Sequence, residues 1–223
     1  NFARSYLCEA RSEASGRFQE EWINNCLALG KGRTFRSSPP MGPHGNFYPC
    51  YTGVDLAIGK KKKSDLSAMF TIAIGENNRR IVCDIQAGRW KAPDIIARMK
   101  WVHEHFNSIM IVEDNGAQDF LLQWATESGI PVRPFTTTSK NKHDESFGVE
   151  SIAVEMRSEM WEIPSGLDGK DLHEETRAWI REMLFHDPAG HTGDRTMAAW
   201  FAREGSRHRK PRMRPLSIDS MSR

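Results

Sequence analysis

Between Tyr51 and Thr136 the apolar positions change period several times, and each change marks an element. Tyr51 to Ile58, Leu66 to Ile74 and Arg80 to Ala87 are short apolar runs, parted by Gly59 with a lysine block and by a polar turn. They predict three strands with short connections, an antiparallel meander. Pro93 falls in the first turn of a predicted helix that reaches Phe106, with Ile95, Ile96, Met99, Val102 and His103 on one face. Ser108 to Val112 is short and apolar, as expected of a strand buried on both faces. Ala117 to Ser128 reads as a helix stopped by Gly129, and Pro131 to Thr136 as a further strand.

The flanks follow other rules. Asn1 to about Gly30 reads as helical, with Phe18, Trp22, Ile23 and Leu27 at helix spacing. Lys31 to Pro49 is rich in Gly, Pro and Ser, the composition of a linker. Val149 to Met156, Glu174 to Leu184 and Arg195 to Arg203 predict helices, with a hairpin around Met160 to Leu167. Gly205 to Arg223 is basic and poor in apolar residues, which predicts disorder. The expected division is therefore 1–50, 51–204 and 205–223, with the central part an α/β unit built on a mixed sheet.

Composition narrows the function. A chain of 223 residues can bury one sizeable core. No apolar run approaches the roughly 20 residues that a membrane span needs, so no membrane role is expected. The chain starts at Asn1 without a signal peptide, which reads as a cut from something longer. Cys8, Cys26, Cys50 and Cys83 are scattered with no C-x-x-C pair, against a zinc ribbon or a disulfide framework. The formal net charge of +2 hides two basic blocks, Lys60 to Lys63 and Arg203 to Arg214. Such blocks are ordinarily solvated surface, and phosphate contact is their functional alternative. Seven tryptophans, Trp101, Trp124 and Trp200 among them, are expected mostly in the core, with no stripe suited to single-strand stacking.

Candidate chemistry rests on acids at three places. Asp55 interrupts the apolar run Val54-Asp55-Leu56-Ala57, where burial is costly without a partner. Glu113 and Asp114 end the strand Ile109-Met110-Ile111-Val112, and strand ends facing helix starts are where α/β sheets gather function. Asp194 opens the last helix. Each has an ordinary explanation alone: an edge position for Asp55, and helix caps for Asp114 and Asp194. Together they would meet on one face of the sheet. Clustered carboxylates are tolerated around cations, and oxygen-only donors suit Mg²⁺ or Mn²⁺. His191 is kept as a possible proton carrier or helper at Asp194. His103 and His105 face different sides of their helix, which argues against zinc.

The order of elements is that of a ribonuclease H-like sheet. Moreover, Gly53-Val54-Asp55-Leu56-Ala57, Val112-Glu113-Asp114-Asn115-Gly116 and Gly193-Asp194-Arg195-Thr196-Met197-Ala198 resemble the three nuclease motifs of the large terminase subunit of tailed bacteriophages. The resemblance covers most of Tyr51 to Glu204. It implies a metal-dependent endonuclease acting on double-stranded DNA, with Asp55, Glu113 and Asp194 as catalytic residues holding two metal ions. Asp65, Asp114 and His191 are lesser ligand candidates. One departure stands out: many relatives carry paired acids at the last motif, whereas Gly193 stands beside Asp194 here.

The resemblance also implies the surroundings. Phe2 to Leu7 looks like the exit of a packaging ATPase domain, followed by the interdomain linker. No G-x-x-x-x-G-K-[ST] occurs, so ATP hydrolysis is not expected of this chain. The implied partners are the terminase small subunit, the portal and the ATPase domain, in the cytoplasm of an infected or lysogenic bacterial host. Lys60, Lys61, Lys62, Lys63, Lys140 and Lys142 are the expected DNA-backbone contacts. Two alternatives remain: a resolvase- or transposase-type nuclease on the same fold, and a docking module for DNA or portal whose acids no longer bind metal.

Overall fold

Strands β1 (Cys50–Asp55), β2 (Ser67–Ile74) and β3 (Arg80–Gly88) form the expected meander, each antiparallel to the next. The computed structural model describes residues 17–57, 66–114, 119–144, 148–169 and 171–207, without the side chains at 119–122 and 139–140. Asp55 pairs with Ala68, which in turn pairs with Ala87, so one end of the meander is defined by these residues. Between Thr71 and Ile72 the register slips, leaving Cys83 as the extra residue of a bulge.

Helix α2 (Ala92–Phe106) follows, with Pro93 in its first turn and Asp94 bonding back to the Lys91 N–H. Asn107 ends it in the left-handed conformation that asparagine tolerates. The chain then enters β4 (Ile109–Glu113), which runs parallel to β1, and passes through α3 (Asp119–Glu127) to β5 (Val132–Phe135), parallel to β4. After the short α4 (Ser139–Lys142) and α5 (Ser151–Arg157), β6 (Trp161–Glu162) adds to β3 in parallel. Helices α6 (Glu174–Leu184) and α7 (Asp194–Arg207) complete the described chain. The sheet order β5-β4-β1-β2-β3-β6, with three antiparallel strands at its centre and parallel strands beside β1, is the mixed α/β sheet of a ribonuclease H-like fold.

The sheet separates two cores. On one face α2 and α3 cover Val54, Met69, Cys83, Met110 and Val112. On the other, α1 (Glu20–Leu29), α5, α6 and α7 cover Phe70, Ile85 and Ile111 with Trp161, Trp179 and Trp200. Alternation along each strand sends successive side chains to opposite faces. A buried hydroxyl chain, Ser108 to Thr52 (2.7 Å) to Thr71 (2.9 Å), joins the residue before β4 to β1 and β2, so none of these hydroxyls is stranded in the core.

Several expectations are corrected. Met160 to Leu167 is not a hairpin. Only Trp161 and Glu162 form a strand; Ile163 instead donates its N–H to Cys26, and Gly166 bridges to Arg33. Trp101 and Trp124, expected in the core, are 37% and 42% exposed, because their helix positions face outward. Ile23, Cys26 and Leu27 of α1 are buried in the same core as the sheet, and Arg36 donates its N–H to Cys83 on the edge of β3. The described part of 1–50 therefore packs onto the sheet. Gly205 to Arg207 continue α7, while 208–223 lie outside the described residues. Cys26, Cys50 and Cys83 are buried free thiols. Among the described residues no helix is long and apolar enough to cross a membrane.

The end of the sheet away from Asp55 carries a buried ionic cluster. Glu155 of α5 accepts from Arg80 (3.0 Å) and from the Trp161 indole (3.0 Å), and lies 3.0 Å from Arg203. Arg203 and Arg207 also pair with Glu204. Buried guanidinium groups need such partners, because removing them from water is expensive.

Candidate active site

Parallel pairing of β1 with β4 sets the site. Tyr51 pairs with Ile109 and Val54 with Val112, so Asp55 and Glu113 are the next residues on the two neighbouring strands, at the same end. Their faces can be read from their neighbours. A β-carbon on Gly53 would meet α7, and one on Gly205 of α7 would meet Ile111. Asp55 lies two residues beyond Gly53 and Glu113 two beyond Ile111, so both carboxylates belong to the face that α7 covers. Asp55 is buried and Glu113 half-buried.

Helix α7 brings the third acid. Its small residues Ala198, Ala199 and Ala202 let it lie against β1 without side chains between. The helix therefore starts at the same end of the sheet, where Asp194 accepts the Leu66 N–H on Oδ2 at 3.0 Å. Leu66 is two residues ahead of Ala68, the partner of Asp55. Asp194 is buried, and its Oδ1 accepts no hydrogen bond among the described residues. The exposed His191 imidazole stands 4.0 Å from that oxygen.

Behind Asp194 lies a polar arrangement that sequence reasoning missed. Glu182 of α6 accepts from the Thr196 N–H (2.9 Å) and hydroxyl (3.1 Å), and from Arg195 (2.9 Å). Arg195 also bonds Glu175 at 2.6 Å. Burial pushes the Glu182 carboxyl above its ordinary range, against the pull of Arg195 and Thr196. Nothing local in the sequence joins Glu182 to Thr196; the sole hint is the glycine at 193.

The other candidates fare differently. Asp114 is exposed, one residue beyond β4, and its N–H bonds Phe135 at 2.8 Å. Lys142 is half-buried on α4, and its charge is felt by the buried His186. His186 itself stacks edge-on against Phe18. The Lys140 side chain, Asp65 and Lys60 to Lys63 lie outside the described residues.

A cation could be held by Asp55, Glu113 and Asp194, and the chemistry fits in two respects. All three donors are oxygens, and Asp194 keeps one buried oxygen without a hydrogen-bond donor, which a cation can satisfy. Among the described residues, no three His, Cys, Asp or Glu side chains are gathered tightly enough to hold an ion as they stand.

Solved structures share this architecture. The chain is similar to the large terminase nuclease from thermophilic phage G20c with bound zinc, at a TM-score of 0.57 and 15% identity, over 82% of this chain and 97% of that one. The same nuclease with bound magnesium aligns at a TM-score of 0.55 and 13% identity, over 82% and 96%. The HK97 bacteriophage large terminase aligns at 0.46 and 13% identity, over 84% of this chain and 43% of that one. No family model and no curated protein matches the sequence. At such identities the likeness is one of fold.

Proposed function

We propose that this chain is a metal-dependent endonuclease that cuts double-stranded DNA during viral genome packaging. The observation that carries the reading is the meeting of β1, β4 and the start of α7: three elements distant in sequence bring Asp55, Glu113 and Asp194 to one end and one face of the sheet. Three carboxylates at one end of one face can be drawn together around cations, which offset their mutual repulsion. The similarity to phage nucleases solved with zinc or magnesium bound supports the same reading.

Asp55, Glu113 and Asp194 would hold the ions, Mg²⁺ or Mn²⁺, two in number. Bound there, the ions would activate a water and stabilise the leaving oxygen of a phosphodiester. The chain's own residues orient the site. Leu66 fixes one oxygen of Asp194, and the β1–β4 ladder holds Asp55 and Glu113 side by side. His191, 4.0 Å from Asp194, would carry a proton. Asp65 and Asp114 are lesser ligand candidates. Lys60 to Lys63, with Lys140 and Lys142, would contact the DNA backbone without reading its sequence. The small subunit, the portal and a packaging ATPase domain are the proposed partners, in the cytoplasm of the bacterial host.

The test is nicking of supercoiled plasmid in Mg²⁺ and in Mn²⁺. Wild type is expected to cut and Asp55→Asn to lose cutting with its circular dichroism unchanged; full cutting by Asp55→Asn removes that residue from the site. One observation leaves room for a second reading, a docking module without metal: Gly193 stands beside Asp194, where the resembled family often carries a second acid. Calorimetric Mn²⁺ titration separates the two: equal binding by wild type and Asp55→Asn supports docking.

A further inference from the structure

Helix α7 begins without a capping side chain of its own. Its first-turn bond runs from the Met197 N–H to the Gly193 carbonyl at 2.9 Å, which makes Gly193 the residue that opens the helix. A Ser, Thr, Asp or Asn at that place ordinarily accepts the N–H three residues on, here that of Thr196. Gly193 cannot. The Thr196 N–H goes instead to Glu182 of α6, which also takes the Thr196 hydroxyl and is steadied by Arg195. The two residues share one space: a β-carbon on Gly193 would lie 2.3 Å from Glu182 Cδ and 2.4 Å from its Cγ.

The consequence falls on Asp194, the next residue. An aspartate at the start of a helix commonly spends its carboxylate on the free N–H groups of that helix. Here Glu182 takes that work. Asp194 turns instead to the strand side, with Oδ2 on Leu66 and Oδ1 left without a donor among the described residues. We infer that Glu182 is a positioning residue for Asp194: capping α7 from outside, in the space that Gly193 leaves, it keeps the Asp194 carboxylate available to a divalent cation. This inference rests on the metal-site reading above.

The test measures Mn²⁺ affinity by calorimetry, with thermal melting alongside, so that no cutting activity is needed. Glu182→Ala is expected to bind Mn²⁺ about tenfold more weakly, the usual scale when a group that orients a ligand is removed. Gly193→Ala keeps the glutamate but displaces it, and is expected to weaken binding similarly. Adding Gly193→Ser to Glu182→Ala supplies a capping hydroxyl where the carboxylate was and is expected to restore affinity to within about threefold of wild type. The backbone at Gly193 is outside the left-handed region, so serine fits without strain.

An unchanged Mn²⁺ affinity in Glu182→Ala, even with a lower melting temperature, overturns the proposal and leaves Glu182 a prop for the helix. Should that variant not fold, unchanged affinity in Gly193→Ala overturns it equally. Failure of the underlying reading looks different: Asp194→Asn and Asp55→Asn would then bind Mn²⁺ as wild type does.

Discussion

Gly53 of β1 and Ala198 of α7 meet backbone to backbone, so that a β-carbon on Gly53 would lie 1.9 Å from the Ala198 carbonyl oxygen and 2.5 Å from the Ala202 nitrogen. No flexible side chain stands between them to yield. The closeness is what lets one helix span the sheet from Asp194 to Gly205 against Ile111. Gly53→Ala must lift the helix or bend the strand, and overpacking of this kind costs about 1–3 kcal/mol. Urea unfolding should show a lower midpoint; an unchanged one would mean that the two backbones pack more loosely than described.

Glu155 sits between Arg80 and Arg203 at the other end of α7. Glu155→Ala leaves two buried guanidinium groups short of a partner and the Trp161 indole without its acceptor. Breaking a buried pair from one side costs about 3–5 kcal/mol. Equilibrium denaturation is the measure. A loss below about 1 kcal/mol would class these as surface pairs, which contribute little.

Asp84 provides a pH dependence. Burial raises its carboxyl above the ordinary value of 3.8, against the hydrogen bond from Gln86 (2.7 Å). A raised carboxyl binds its proton more tightly in the folded chain. Its contribution to stability is therefore fully present below 3.8 and lost as pH rises through the folded value. Asp84→Asn, which cannot ionise, should gain on wild type between pH 4 and pH 7. Parallel stability curves for the two proteins over that range would contradict this.

The lysine block follows β1 in sequence, directly after the strand that carries Asp55. Replacing Lys60 to Lys63 with alanine should weaken binding to duplex DNA and flatten its salt dependence. Every phosphate that a lysine no longer neutralises reduces the slope of log affinity against log salt by about 0.9. A slope equal to that of wild type would return these lysines to plain surface.

Much of the sheet was legible in one dimension. The apolar runs at Tyr51, Leu66, Arg80 and Ser108 became β1 to β4 within a residue or two at most ends, since a strand buried on both faces writes its pattern locally. Met160 to Leu167 misled because a two-residue strand is too short to carry a period, and its neighbours bond to Cys26 and Arg33, well over a hundred positions away. Trp101 and Trp124 misled because bulk and hydropathy do not say which side of a helix a residue occupies.

Asp55 stood out in the sequence because an acid inside an apolar run is costly to bury, Glu113 because it ends such a run, and Asp194 because it opens the last helix. Their common end and face could not be read there. That depended on a parallel register between β1 and β4, and on a glycine thin enough to seat α7. Of the exchange between Gly193 and Glu182 the sequence offered only the glycine, for a missing side chain acquires meaning only from what fills its space. Local pattern therefore determined which segments became strands and helices, and which acids were conspicuous. Tertiary structure alone decided which of them face one another, because pairing across the sheet and close approach of backbones join residues that the chain itself keeps far apart.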